Sequence, residues 1–291
     1  LIGEHYQVPF TDLDHVLFNN RAMVVQVPYA DTHSEIQSAT ISTAQTAGWI
    51  WDIALSTRRG LGYVYASEYL DDKAAEVQLK QYIADTSIGV DINTVSCRKI
   101  EFRPGHRTRF WHRNCVAIGT SAGFIEPLEA SALVLIELSA DFVSQQLPRH
   151  RDTMDTIAER FNACFLYRWH RITDFLKLHY VLSQRQDSDY WQQHRQAISI
   201  PESLKQLLAL WKDAPPSRHD FPLADEVFPA ASHQYVLYGM GFETHIHRTV
   251  HYQRMLPLAQ QQVQKNLELT ARYLAHLPSN RALLTHIHQN L

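Results

Sequence analysis

The sequence predicts a mixed α/β fold, with a sheet-rich first part followed by a mostly helical second part. Two changes of pattern indicate this organisation. Up to about residue 120, short β-branched or alternating runs are typical of strands. From Glu129 onward, apolar residues recur with the period of a helix. We therefore predict two regions, residues 1–128 and 129–291.

The first region is expected to form an antiparallel sheet. Many of its strand-like runs meet at turns that contain proline or glycine, and such turns favour antiparallel pairing over long helical crossovers. One helix over residues 71–83, with Asp71 or Asp72 as its cap, interrupts the strands. The predicted strands cover residues 22–27, 35–42, 45–55, 62–66, 95–102 and 109–118.

The second region is expected to contain several helices that prolines separate. Pro148, Pro201 and the pair Pro215-Pro216 mark breaks, because proline lacks the N–H that a helix interior needs. Residues 214–232 contain further prolines and predict an extended surface loop. The predicted helices cover residues 130–146, 152–182, 189–197, 202–212 and 257–276.

Composition excludes several classes of partner. The 27 Lys and Arg residues against 30 Asp and Glu residues give a net charge of −3, so neither nucleic acid nor an anionic membrane is an expected partner. Three widely spaced cysteines suit neither a disulfide framework nor a Cys-x-x-Cys metal site, which predicts a reducing cytoplasm. The chain begins without Met or a signal peptide, so we expect an N-terminal part to precede it.

The segment 113–132 has the pattern of a strand, a small-residue turn and a helix start. Small side chains let backbone N–H groups approach a phosphate, a flavin ring or a halide. Glu129 lies near the positive end of the predicted helix and is a candidate proton acceptor. The alternative is that Glu129 and Ser131 only cap the helix, and the residues alone leave both interpretations open.

A second candidate segment contains two tryptophans. Strand alternation places Trp49 and Trp51 on one face and Ile50 and Asp52 on the other. Two indoles on one face form either a rigid wall beside a substrate or cofactor, or an aromatic stripe of the core.

Together these segments resemble the flavin-dependent tryptophan halogenases. That family carries a Trp-x-Trp-x-Ile-Pro motif, which this chain matches from Trp49 through Ile53, with Ala54 in place of the proline. Residues 114–132 resemble the family's cofactor strand and its Glu-Pro-Leu-Glu turn. The resemblance extends from about residue 1 to at least residue 195 and implies a fold of the FAD-dependent monooxygenase and halogenase type.

The resemblance implies a specific reaction. Reduced FAD from a separate flavin reductase and dioxygen oxidise chloride or bromide, and hypohalous acid then travels along a short tunnel to an electron-rich aromatic ring. Backbone N–H groups of Ser131 and Ala132 match the family's halide site, and Glu129 matches the glutamate that assists the electrophilic step. The corresponding cofactor-binding residues are Gly119, Thr120, Ser121, Ala122, Gly123 and Phe124.

The resemblance also implies where a substrate binds. Trp49 and Trp51 match the tryptophans between flavin and substrate, and the pairs His179-Tyr180 and Tyr190-Trp191 match the family's aromatic substrate site. Gln186 stands where the family has a glutamate that meets the ammonium group of tryptophan. A neutral amide offsets an ammonium poorly, so we predict indole or another aromatic without the amino-acid group as the preferred substrate.

Two features of the family do not occur in this chain. Its Gly-x-Gly-x-x-Gly dinucleotide fingerprint and its catalytic lysine belong to an N-terminal half, so activity is expected to need residues outside this chain. Two alternatives therefore stay open: a flavin-dependent aromatic monooxygenase, and a non-catalytic flavin-fold module that binds an aromatic ligand. The tryptophan wall favours halogenation. The oligomeric state is open, a homodimer included.

Other candidate sites are weaker. His247 and His251 have the spacing of a helical metal pair, but no acidic or cysteine ligand accompanies them, so no metal is expected. Ser121 lies near His106 and His112 in sequence but lacks a Gly-x-Ser-x-Gly elbow, so a serine hydrolase is not expected.

Overall fold

A computed structural model of the chain describes residues 1–87, 89–245 and 250–290, and describes no side chain for residues 93 and 250–252. Strands and short turns dominate the first half, and helices dominate the second. The strands are β1 (Phe10–Asp12), β2 (Arg21–Pro28), β3 (Ile41–Gln45), β4 (Gly48–Ala54), β5 (Arg58–Tyr65), β6 (Arg98–Glu101), β7 (Gly105–Arg107), β8 (Trp111–His112), β9 (Cys115–Val116) and β10 (Gly123–Phe124). The helices are α1 (Asp72–Thr86), α2 (Ala132–Gln146), α3 (Met154–Leu182), α4 (Asp189–His194), α5 (Glu202–Trp211), α6 (Ala230–Gly239), α7 (Val250–His276) and α8 (Asn280–Gln289).

The main sheet is antiparallel and runs in the order β3-β4-β5-β2-β6. Helix α1 covers one face, where it packs on Ile50 and Tyr63, and Asp71 caps it by accepting from the N–H of Ala74 at 2.9 Å. The other face carries Trp49 and packs against the helical half. The sheet therefore separates two cores and presents the tryptophans to the larger one.

Close packing fixes Trp51 on this sheet. Trp51 lies opposite Gly62 of β5, and a Cβ at Gly62 would lie only 2.1 Å from a ring carbon of Trp51. Glycine is therefore required beneath this indole. A small three-stranded sheet has the order β1-β7-β10, and a turn connects its last strand, β10, to α2.

Helix α3 forms the centre of the second half. One stripe of α3, including Phe161, Trp169 and Tyr180, joins the core that holds Trp49. Another stripe, including Phe175 and Leu178, packs in the core that contains residues of α5 and α6. Both stripes recur at helical spacing, so burial on two sides holds α3 firmly and fixes the side chains at its C-terminal end.

Several element boundaries differ from the predictions. The strand expected over residues 35–42 is wrong for most of its length, because β3 spans Ile41–Gln45. The run over residues 109–118 is not one strand but the hairpin β8-β9, because the chain reverses at Arg113 with φ of 55°. Helix α7 contains Pro257 rather than beginning there, and α8 was not predicted. The loop over residues 214–232 ends early, because Pro229 caps α6.

The remaining predictions about the whole chain concern thiols and membranes. Cys97, Cys115 and Cys164 are free thiols. Over residues 1–87, 89–245 and 250–290, no helix has both the length and the hydropathy to cross a bilayer. The boundary between residues 128 and 129 stays a prediction, and the largest core contains residues from both sides of it.

Candidate active site

The turn between β10 and α2 has an uncommon backbone. Glu129 and Ala130 have φ of 66° and 42°, in the left-handed region that non-glycine residues seldom adopt. Ser131 returns to helical geometry and is the N-cap of α2. Each such residue costs about 1–3 kcal/mol, and backbone strain of this kind is concentrated at functional sites. We therefore expect this turn to hold reactive groups in a defined arrangement.

This turn presents free amides. Within the described part of the chain, the N–H groups of Ser131 and Ala132 donate no hydrogen bond. A left-handed residue followed by a right-handed one gathers successive N–H groups into a concave anion site, and the positive end of α2 adds to its potential. The halide site that the resemblance implies at these two amides stays a prediction.

An apolar cavity of about 280 Å³ opens beside the turn. Its size is near the lower end of small-molecule sites, which are roughly 300–1,000 Å³. Five of the six predicted cofactor-binding residues line it, together with Ser131 and Ala132 of the turn and with Phe161 and Trp169 of α3. The lining suits a planar flavin ring close to the anion site. The five residues are Gly119, Thr120, Ala122, Gly123 and Phe124.

Ser121, the sixth predicted cofactor-binding residue, does not line this cavity. Its hydroxyl accepts from the N–H of Ile118 at 3.0 Å and donates to the carbonyl of Ile118 at 2.8 Å. These bonds close the short 3₁₀ turn Gly119–Ser121, which follows two residues after β9 (Cys115–Val116). Ser121 thus stabilises the turn whose residues Gly119 and Thr120 line the cavity.

Glu129, the predicted catalytic residue, pairs with a histidine from the distant helix α3. Its Oε1 lies 3.0 Å from Nε2 of His179. The hydrogen bond from His179 lowers the pKa of Glu129, against the opposing effect of burial. Glu129 is therefore ionised near neutral pH, as a proton acceptor must be. The sequence had placed His179 in the substrate site.

Glu126 is the central buried carboxylate of the site and was not among the predicted site residues. It is 2% exposed. It accepts from Asn19 Nδ2 at 2.5 Å, from Trp49 Nε1 at 2.9 Å and from the Tyr180 hydroxyl at 2.8 Å to each carboxylate oxygen. Burial raises the pKa of Glu126, and the three donors oppose that rise. The sequence feature that could have identified Glu126 is its place as the first glutamate of the Glu-Pro-Leu-Glu turn.

This network connects the tryptophan wall to the turn. Trp49 is buried and Trp51 is partly exposed, and their ring centroids lie 6.2 Å apart. Because Glu126 holds the indole N–H of Trp49, the wall and the anion site are fixed to one short segment of chain. Ile50 and Asp52 lie on the opposite, α1-facing side, as strand alternation predicted.

The predicted aromatic substrate residues form one buried cluster. Tyr180 lies 5.9 Å from Trp191 between ring centroids, and Tyr190 lies 5.1 Å from Trp191. Their polar atoms have protein partners: Tyr190 donates to Asn19, and the indole of Trp191 donates to the carbonyl of Gln45 at 2.8 Å. These residues form a fixed wall, whereas the side chain of Gln186 is exposed to solvent.

A buried lysine lies behind this cluster. Lys177 Nζ donates to the carbonyl of Val16 and the hydroxyl of Ser199, both at 3.0 Å, and lies 2.8 Å from Nδ1 of His194. The side chain is fully buried. Burial lowers the pKa of Lys177 to about 7. Because His194 is also neutral, with a pKa that burial lowers well below its usual value, this pair carries little charge above neutral pH.

Lys177 should make stability depend on pH. Between pH 7 and about 10.5, the unfolded chain binds a proton at this lysine that the folded chain has released, so the free energy of unfolding rises with pH in that window. The expected slope from this group is on the order of 1 kcal/mol per pH unit. Urea denaturation between pH 7 and 9 should show that slope reduced in Lys177→Met. The slope should persist in Lys205→Met, which changes a lysine on the surface of α5. An unchanged slope in Lys177→Met would show that Lys177 does not cause the pH dependence.

The histidines near the C-terminus remain only partly described. His247 and the side chain of His251, the candidate metal pair, lie outside the described residues. In the part that is described, no group of three or more His, Cys, Asp or Glu residues could hold a metal ion.

A profile of the family described as tryptophan halogenase matches residues 1–254. The chain belongs to the tryptophan halogenase family. Its mixed α/β fold is confirmed by solved members: the tryptophan halogenase of Shewanella frigidimarina is 49% identical with a TM-score of 0.93, over 99% of this chain and 54% of that one. The flavin-dependent halogenase BrvH from Brevundimonas sp. BAL3 is 32% identical with a TM-score of 0.84, over 98% of this chain and 56% of that one.

Curated members of the tryptophan halogenase family show the same relation. The tryptophan 6-halogenase SttH of Streptomyces toxytricini is 32% identical over 242 residues, which cover 83% of this chain and 45% of the relative. The chain thus spans about half the length of these tryptophan halogenases.

Proposed function

We propose that the protein is an FAD-dependent halogenase that transfers a halogen from chloride or bromide to an electron-rich aromatic ring. One observation carries the proposal. A single strained turn holds two free amides, at Ser131 and Ala132, and the ionised Glu129, and Glu126 of the same segment binds the tryptophan wall. The proposal is also supported by relatives that are named flavin-dependent or tryptophan halogenases.

The cavity would hold the flavin. Gly119, Gly123 and Phe124 would contact the ring, and the small residues between them leave room for a planar group. Reduced FAD, when bound there, supplies the electrons that activate dioxygen for oxidation of the halide. A separate flavin reductase would deliver it. Ser131 and Ala132 would hold the halide beside the ring through their N–H groups.

The tryptophan wall and Glu129 would direct the halogen to the substrate. Trp49 and Trp51 present rigid apolar surface, which keeps an organic substrate away from the flavin. Glu129 would accept the proton from the substituted ring carbon, and the C–H electron pair then restores the aromatic system. Tyr180, Tyr190 and Trp191 would support the substrate site as a fixed aromatic wall.

The substrate is proposed to be indole or another aromatic without the amino-acid group. Gln186 offers no charge to an ammonium, and its side chain is exposed. Tryptophan is the competing candidate, because several relatives are named tryptophan halogenases. The three free thiols agree with a reducing cytoplasm as its compartment.

Mass spectrometry tests the proposal. The full-length protein is supplied with FAD, a flavin reductase, dioxygen and either chloride or bromide, with indole and tryptophan in competition. We expect a product with a halogen isotope pattern. A product that gains only oxygen would show the aromatic monooxygenase instead. No product despite bound flavin, across a panel of aromatics, would favour the non-catalytic binding module.

Gln186→Glu should move specificity toward tryptophan. A carboxylate at this position can pair with the substrate ammonium, and a charge-assisted bond of this type contributes about 1.5–3 kcal/mol. We expect kcat/KM for tryptophan to rise about tenfold or more while the value for indole changes less than about twofold. Gln184→Glu adds the same charge to another exposed side chain two residues away. An equal effect of both substitutions would contradict a specific role for Gln186.

A further inference from the structure

We propose that His179 is a positioning residue for Glu129: it donates from a protonated Nε2 to Oε1, holds Glu129 as a carboxylate and leaves Oε2 for the reaction. The inference rests on the proposed function, because the role of Glu129 does. It assigns His179 to the acid–base chemistry rather than to contact with the substrate.

Because Glu129 is ionised, the hydrogen-bond pattern requires a proton on each ring nitrogen of His179. His179 Nδ1 lies 2.9 Å from the carbonyl of Phe175, one helical turn earlier on α3. A carbonyl only accepts, so Nδ1 carries a proton. A neutral ring would then direct its Nε2 lone pair at Glu129 Oε1, 3.0 Å away, where two acceptors repel. A second proton on Nε2 turns this contact into a charge-assisted bond.

Packing holds the ring in this orientation. Phe175 lies edge-on to His179 with centroids 5.1 Å apart, and Phe175 is itself stacked on Phe228 at 4.1 Å. A flipped ring would direct carbon atoms at both the carbonyl and the carboxylate and lose both bonds. The tautomer and the direction of Nε2 are therefore fixed by α3 before any substrate binds.

The surrounding charges favour an ionised pair. The other titratable groups close to His179 are Glu126, buried among its own donors, and His233 of α6. Burial lowers the pKa of His233 to about 4, so it is neutral at the pH of interest and does not oppose a charge on His179. The His179 bond is also the largest cause of the lowered pKa of Glu129.

The two carboxylate oxygens of Glu129 have different surroundings. Oε1 is engaged by His179, and Oε2 has no hydrogen bond to any described residue. When the ring carbon loses its proton, the C–H bond breaks, its electron pair returns to the ring and an O–H bond forms at Oε2. The Glu129 side chain is 38% exposed, so that proton then passes to water.

Two variants at one position separate the bond from the ring. His179→Phe keeps an aromatic ring but removes the donor, so kcat should fall about 10- to 100-fold with KM for the aromatic within about twofold. Without the hydrogen bond from His179, the pKa of Glu129 should rise. The acid limb of the kcat–pH profile should therefore move to higher pH. His179→Gln retains a donor and should keep most of kcat and the low acid limb. His170 lies on the same helix and faces His106, so His170→Gln should leave kcat and the acid limb unchanged.

A second readout does not depend on turnover. Nitrogen-15 spectra of the histidine side chains in the full-length protein should show two N–H signals for His179 at pH 6, identified by their loss in His179→Gln. The Nε2–H signal should disappear in Glu129→Gln, because a neutral amide does not stabilise a charged ring. A single N–H signal in the wild type, or equal acid limbs in wild type and His179→Phe, would overturn the proposal. A wild type that shows both signals but forms no halogenated product would instead contradict the proposed function.

Discussion

Glu129→Gln is expected to lower kcat for halogenation by about 10²- to 10⁴-fold, the range typical of a lost general base. The amide has the shape of the carboxylate, and its NH₂ group can donate to Nε2 of a neutral His179 ring, so the turn should keep its backbone. It cannot take a proton from the substituted ring carbon. The loss should therefore appear in kcat, while binding of flavin and substrate changes little.

Stopped-flow absorbance and product analysis on the same samples test this prediction. Reduced flavin should reoxidise in dioxygen at the wild-type rate, because the cavity residues are unchanged, while halogenated product falls. Glu137→Gln, on the exposed surface of α2, provides a matched control and should retain full activity. A kcat for Glu129→Gln within threefold of wild type would show that another group accepts the proton.

Glu126→Ala is expected to have the largest effect on stability, a loss of about 3–5 kcal/mol in the free energy of unfolding. The carboxylate is buried and satisfies donors on Asn19, Trp49 and Tyr180. Alanine would leave the Trp49 indole N–H and the Tyr180 hydroxyl buried without this acceptor, whereas Asn19 Nδ2 would keep the Tyr180 hydroxyl as an acceptor. Each buried donor without an acceptor costs about 1–3 kcal/mol. It would also leave a cavity under the tryptophan wall.

Denaturation in urea measures this effect, with two comparison variants. Glu126→Gln keeps one good acceptor and should cost only about 1–2 kcal/mol. Glu137→Ala removes an exposed carboxylate from α2 and should change stability by less than about 0.5 kcal/mol. If Glu126→Ala costs no more than Glu137→Ala, the buried network contributes no net stability.

Glu126 and Glu129 belong to one short motif but have different roles. Both belong to the same turn and carry the same chemical group, three residues apart. Glu126 points into the core and meets fixed donors, whereas Glu129 lies in left-handed backbone, partly exposed, beside His179. Burial therefore makes one carboxylate structural and leaves the other available for proton transfer.

The sequence by itself determined the features that depend on local pattern. Alternation on β4 put Trp49 and Trp51 on one face and Asp52 on the other, because successive strand residues point to opposite sides. Helical periodicity located α3 to within two residues at its start and correctly at its end. The Trp-x-Trp segment and the Glu-Pro-Leu-Glu turn indicated the family that the profile confirms.

Tertiary structure alone decided which groups meet. The donors that surround Glu126 lie 107, 77 and 54 positions away along the chain, at Asn19, Trp49 and Tyr180. His179 reaches Glu129 across 50 positions. Local periodicity carries no information on such distances, since it reports which face of an element is buried and not what covers that face. Packing of α3 against the sheet and the turn brings these side chains within hydrogen-bond distance, and so it alone sets the charge and direction of the two carboxylates.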